Sequence, residues 1–147
     1  MRFYLASSFK LLDRVEELAE ALEGLGHEIT VKWWARKYDI PGERAVHTTE
    51  LKKRWDNLGV EEFYGKPETI YSYEADRQGV KDADVLVFVA SEKPRKFNGA
   101  AVELGIALGD EKPCYLLGEL ETSVLYAPLI RCRDSEDLIA KLQEVQV

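Results

Sequence analysis

DVLVFVASEKPRKFNGAAVELGIALGDEKPCYLLG, residues Asp84 to Gly118, decides the fold of this chain. Val85 to Ala90 is an unbroken apolar run. A polar loop, Ser91 to Gly99, a helical pattern and a second apolar run at Cys114 to Leu117 follow it. A strand that is apolar on both faces belongs inside a parallel sheet, and strand–loop–helix–strand is the unit from which such sheets are built. These sheets open their ligand crevices at the carboxyl ends of the strands. Ser91 to Gly99 is therefore the first place to look for chemistry.

The helix after that loop is apolar nearly all round, as expected of a helix held between a sheet and a partner. Glu103 is the only charge in its first two turns. One reading is that this carboxylate simply complements the positive helix N-terminus. The other is a carboxylate kept ionised by that field at the mouth of a crevice, placed to stabilise or attack an electron-poor carbon.

Working outward, Arg2 to Ala6 reads as a strand and Ser7-Ser8 as the turn into a helix. Leu11, Val15, Leu18, Ala19 and Leu22 give that helix one core face, and Gly24 and Gly26 end it. Ser7 and Ser8 stand at a helix N-terminus, where backbone N–H groups and hydroxyls suit an anion; a plain Ser N-cap is the commoner reason for a lone Ser-Ser there. Glu28 to Trp34 alternates apolar and polar residues, which predicts a second strand. Its adjacent Trp33 and Trp34 then point to opposite faces, one to the core and one, Trp34, to the crevice as a wall against which a base could stack.

Residues 35–66 break the rhythm: they are polar, carry Pro41-Gly42, and hold one short helical pattern, Thr49 to Leu58. An insertion of that length is usually a lid or a mobile loop, and Trp55, Phe63 and Tyr64 would let it close onto a ligand or a second subunit. Pro67 to Ala83 predicts a helix with Ile70, Tyr73 and Val80 inward. Asp76 falls on the same side, with Arg77, Lys81 or the backbone as available partners. Leu129 to Cys132 and Ser135 to Glu144 complete the chain as a strand and a helix. The expected fold is α/β: a flavodoxin-like or Rossmann-like three-layer sandwich, a five-stranded parallel sheet in the order 2-1-3-4-5, in one domain spanning 1–147.

The 147 residues, 46% hydrophobic and 32% charged, suit one soluble domain with a real core. A net charge of -7 argues against a nucleic-acid surface, which needs clustered Lys and Arg. No apolar run approaches a membrane span, and MRFYLASS lacks the long apolar stretch of a signal peptide, so the expected location is cytoplasmic. Cys114 and Cys132 sit in strand-like surroundings without metal-ligand spacing. Neither a dinucleotide glycine fingerprint nor a Walker A loop is present.

Three segments, FYLASSF (Phe3 to Phe9), EADRQGVKDADVLVFV (Glu74 to Val89) and GAAVELGIALGDEKPCYLLG (Gly99 to Gly118), together resemble the nucleoside 2-deoxyribosyltransferase family and its nucleotide N-glycohydrolase relatives. The most specific part is Asp76, eight residues before Asp84, followed by Val102-Glu103-Leu104-Gly105. The resemblance implies that Glu103 is a nucleophile attacking C1′ of a nucleoside or its 5′-monophosphate, giving a covalent glycosyl-enzyme. It implies that Asp76 protonates the departing base or positions the sugar, with transfer to a second base or to water and no metal or cofactor. Gly99 would let the backbone approach the sugar, and Gly105 would let the helix pack close to the strand.

The chain also departs from the family pattern. The family's first-strand tyrosine falls on Phe3, so either the register shifts and Tyr4 is the active-site phenol or that role is missing. A polar residue six before the glutamate is replaced by Phe97, with Asn98 the nearest substitute. Ser7 and Ser8 remain from the phosphate-binding serines, and Arg95 and Lys96 could add charge. The family builds its site across a dimer contact, for which Tyr126 is the candidate here, so a homodimer or higher homo-oligomer is expected. Trp34 and the insertion's aromatics favour a closed, base-stacking site and hence transfer. The alternatives are a non-catalytic nucleotide-binding or sensing domain on the same fold, and a flavin-binding protein using the Ser7-Ser8 loop.

Overall fold

The computed structural model describes residues 1–92 and 97–145. In chain order it contains β1 (Arg2–Ala6), α1 (Leu12–Gly24), β2 (Glu28–Ile29), β3 (Lys37–Tyr38), β4 (Val46–His47), α2 (Thr48–Trp55), α3 (Val60–Tyr64), α4 (Pro67–Asp82), β5 (Val85–Val89), α5 (Asn98–Gly109), β6 (Cys114–Leu117), β7 (Ile130–Cys132) and α6 (Ser135–Val145). Five of the strands form one sheet in the order β2-β1-β5-β6-β7, every pairing parallel. Counting only these five strands, this is the expected order 2-1-3-4-5.

β5 is buried along its whole length because it lies in the middle of that sheet with helices on both faces. α4 and α5 pack on one face and on each other, while α1 and α6 lie against the edges β2 and β6–β7. Right-handed crossovers place them so: the chain moves left from β1 to β2 through α1, then right through α4 and α5. The core consists of the sheet residues together with Val15, Leu22, Val80, Leu104 and Leu138. Among the described residues no helix is long and apolar enough to cross a membrane.

At Gly79, where α4 approaches the sheet, a side chain would be destructive. A Cβ there would sit 2.3 Å from Val31 Cγ2 and 3.2 Å from the Tyr4 ring. Gly118, after β6, has φ +93, and a Cβ would lie 2.6 Å from the Ala90 carbonyl oxygen, so the turn beside the β5 terminus needs glycine twice over.

Two sequence expectations change. The second strand stops at Ile29, and Trp33–Ala35 forms a 3-10 turn. Successive strand residues face opposite ways, whereas this turn buries both Trp33 and Trp34, which pack edge to face at 5.3 Å. On α4, Ile70 and Tyr73 are exposed at 50% and 58%. The inward face instead carries Ser72, Ala75, Asp76, Gly79 and Val80: small where the strands approach, polar where the helix borders a cavity.

The segment after Trp34 is structured. β3 and β4 pair as an antiparallel hairpin, and Tyr38, Val46 and Leu51 form a small core with Ile40 and Trp55 packed on it. This cluster is separate from the main core, as expected of a segment added to a sheet fold.

Candidate active site

A cavity of about 1010 Å³ lies between the Ser7-Ser8 turn, the start of α5, the inward face of α4 and the hairpin with α2. Glu103 comes from the second turn of α5, and no acidic residue occupies its first turn. The helix-dipole reading of Glu103 therefore has no geometric basis. The carboxylate instead reaches β1: the Tyr4 hydroxyl donates to Glu103 Oε2 in a short hydrogen bond. Tyr4 is fully buried and Phe3 turns the other way, packing edge-on against His27 at 5.1 Å. Of the two first-strand positions, Tyr4 is the one that meets the glutamate.

Burial pushes the Glu103 carboxyl up to about 8; the Tyr4 hydroxyl opposes this, the nearby Asp76 charge adds to it, and Arg36 opposes it. Glu103 is thus mostly protonated at neutral pH, not held ionised as the helix-field argument expected. Burial also raises the Tyr4 phenol, with Glu103 and Asp76 adding to the shift, so Tyr4 stays a proton donor.

Asp76 faces the same cavity, and its partner is neither Arg77 nor Lys81. The Arg36 guanidinium forms a short, largely buried ion pair with Asp76 Oδ1, the two side chains being 10% and 27% exposed. Burial raises the Asp76 carboxyl while Arg36 pulls it back. Although burial disfavours its charge, Arg36 is held above its ordinary value by the hydrogen bond and charge of Asp76. Arg36 also reaches the Tyr38 hydroxyl at 3.4 Å, and Tyr38 shares a 2.5 Å hydrogen bond with Ser72, one turn before Asp76 on α4.

Sequence reasoning missed Arg36, Tyr38 and Ser72. The available signal was spacing: Ser72 and Asp76 are four apart on one helix face, and Arg36 and Tyr38 two apart on extended backbone.

The other expected site residues divide. Ser7, Ser8, Asn98 and Gly99 line the cavity. Trp34 does not: it is 5% exposed within the main core, and Trp33 lines the cavity in its place, its indole N–H donating to the Leu5 carbonyl at 2.7 Å. Tyr126 is half-buried against the main core and is not among the lining residues. Phe97 lines the cavity and stacks edge-on with Phe88 at 5.2 Å, so its ring completes an apolar wall where a polar residue was sought. Gly99 and Gly105 have open space where a Cβ would stand, so neither is required for close approach here. Arg95 and Lys96 lie outside the described residues. Among the described residues no group of three His, Cys, Asp or Glu side chains could hold a metal ion.

Parallel-sheet topology with helices on both faces makes this a three-layer α/β protein, an architecture whose ligand crevices open at the carboxyl ends of its strands, where this cavity also lies. Among solved structures, the chain is similar over that whole fold to the Clostridium botulinum CMP N-glycosidase BcmB. The two share 18% identity with a TM-score of 0.54, over 98% of this chain and 99% of the other. No family model and no curated protein matches the sequence.

Proposed function

We propose that this protein cleaves the N-glycosidic bond of a nucleoside or its 5′-monophosphate through a glycosyl ester on Glu103. One observation carries the reading: Glu103, hydrogen-bonded by Tyr4, faces the same cavity as the Asp76–Arg36 pair. Ionised Glu103 attacks C1′, forming a C–O bond as the C1′–N bond breaks. The electron pair leaves with the base, which takes a proton from the protonated form of Asp76, the form that burial favours and the pair with Arg36 opposes. Tyr4 holds the attacking carboxylate in position and stabilises its charge before attack. Water then attacks C1′: its oxygen bonds to the sugar, its proton returns to Asp76, and the C1′–O bond to Glu103 breaks to release the carboxylate. Hydrolysis is favoured over transfer because Trp34 is in the core, which leaves Trp55 of the insertion alone of the aromatics on which the stacking of a second base rested to line the cavity. The neighbouring structure named as an N-glycosidase points the same way.

The site is completed by a second copy of the chain. Val102 and Tyr73, both on the cavity wall, are 60% and 58% exposed, and Val124 and Leu125 beside Tyr126 are more exposed still. Chromatography of purified protein with ribo- and deoxynucleosides and their 5′-monophosphates, with and without free adenine or cytosine, tests the reaction. Free base released without acceptor is the expected result. A new nucleoside appearing only with acceptor makes the protein a transferase, and an unchanged panel refutes the catalytic reading.

A further inference from the structure

We infer that Lys52 and Lys53 of α2, together with Lys10, form an anion subsite that takes the phosphate of a phosphorylated nucleoside. This rests on the glycosidic reading for the sugar's place at Glu103, and it assigns the selection of phosphorylated substrate to the inserted segment.

The first observation is a charge reversal. The chain carries 27 acidic against 20 basic residues, yet five cations line the cavity against three carboxylates. Arg36 is committed to Asp76, and Glu103 is mostly protonated at neutral pH. The remaining excess of positive charge comes from Lys10, Lys52, Lys53 and Arg77, opposed by Asp56 alone.

The second observation concerns which donors remain for a ligand. Ser7, the obvious candidate from sequence, spends its proton on the Val89 carbonyl at 2.6 Å. A phosphate accepts hydrogen bonds only, so Ser7 in this position has nothing to give it. Ser8 accepts from the Lys10 backbone N–H at 3.3 Å, which leaves its own proton for a ligand. One hydroxyl does not balance a phosphate, so the charge must come from the lysines. Lys10 and Lys53 make no ion pair among the described residues, and Lys52 makes only a loose, exposed pair with Asp56 at 3.9 Å.

The third observation is where these groups converge. Lys52 Nζ stands 5.8 Å from the centre of the Phe9 ring, so α2 extends its cation over the turn that holds Ser8 and Lys10. That turn follows β1 directly, four residues beyond Tyr4, a strand distance of roughly 13 Å. A sugar at Glu103 then points its 5′ end along β1 toward the lysines, whose long stems span the remainder. Lysine suits this position because it binds phosphate as a flexible point charge.

Direct binding separates this inference from the catalytic one, because affinity needs no turnover. Calorimetric titration of the full chain with CMP, AMP, GMP, UMP and their deoxy forms, and with the matching nucleosides, measures the phosphate's contribution. At least one monophosphate should bind about tenfold or more tightly than its nucleoside, and the preference should weaken as salt rises. Lys52→Ala/Lys53→Ala should remove most of that preference and leave nucleoside affinity unchanged, while Lys52→Arg/Lys53→Arg should retain it. Both lysines are solvent-accessible, and the melting temperature of each variant confirms folding. Equal affinity for nucleoside and monophosphate, a preference untouched in the alanine variant, or no binding of any compound overturns the inference. Base release in the first two cases would leave the glycosidic reading standing.

Discussion

The sheet face and the inserted segment meet at one cavity and contribute opposite chemistry. From the sheet side come Tyr4 on β1, inside the main core, and Glu103 on α5, which meets it from the cavity wall, one a phenol and the other a carboxyl that burial keeps mostly protonated at neutral pH. From the insertion come Arg36, Lys52 and Lys53, cations on a hairpin and a short helix that have their own small core. Bond-breaking groups need fixed geometry and low polarity, which a sheet supplies. Groups that recognise a charged ligand need reach and solvent-accessible charge, which an added segment supplies without disturbing the core.

Breaking the sheet half should have the largest effect. Glu103→Gln should lower base release by about 10³-fold or more, as removal of a nucleophile does. The same variant should change how stability depends on pH. Between the ordinary glutamate range and about 8, the unfolded carboxyl has lost its proton while the folded one keeps it. The unfolded state therefore binds fewer protons, and wild-type stability falls as pH rises from 5 to 8, by on the order of 2–4 kcal/mol. Urea unfolding at pH 5 and pH 8 should show this slope in the wild type and a flatter one in the variant. An equal slope in both would mean that Glu103 is not the buried acid described here.

Severing the link between the halves comes next. Arg36→Met leaves Asp76 as a largely buried carboxylate without its cation, and should cost about 1–3 kcal/mol in urea unfolding. The Asp76 carboxyl should also rise further, because Arg36 is what pulls it down. Adding Asp76→Asn to Arg36→Met should recover part of the lost stability. No recovery would show that Arg36 acts through packing alone.

Tyr4→Phe is the smaller change within the sheet half. It deletes one hydroxyl that opposes the upward shift of Glu103. Base release at pH 7 should fall about 10- to 100-fold. Because attack needs Glu103 ionised while departure of the base needs a proton on Asp76, kcat/KM of the wild type should fall as pH rises above about 8. The variant's fall should be displaced to higher pH; an unmoved profile would detach Tyr4 from Glu103.

The sheet half could be read from sequence because burial on both faces leaves an apolar run that polar contexts do not imitate, as at Val85 to Val89. Glu103 was visible as a lone charge on an apolar helix, and Asp76 through its spacing to Asp84. The inward face of α4 was misread because apolar residues were assumed to face inward. Next to a cavity the inward residues are polar; Ile70 turns outward, and Tyr73 stands exposed on the cavity wall rather than in the core. The Trp33-Trp34 pair was misread because alternation over a few residues does not distinguish a strand from a 3-10 turn that buries both rings. Arg36 was not found because its partner is 40 residues away on another element, and no local pattern encodes that distance.

The most direct test is intact-protein and peptide mass spectrometry after incubation with a 2′-fluoro-2′-deoxyarabinonucleoside and its 5′-monophosphate, whose fluorine slows opening of a glycosyl ester. The account predicts a mass gain of one fluorinated sugar, or sugar phosphate, on the peptide containing Glu103, and none in Glu103→Gln. Release of base with the protein left unmodified, or an adduct on another residue, would contradict it.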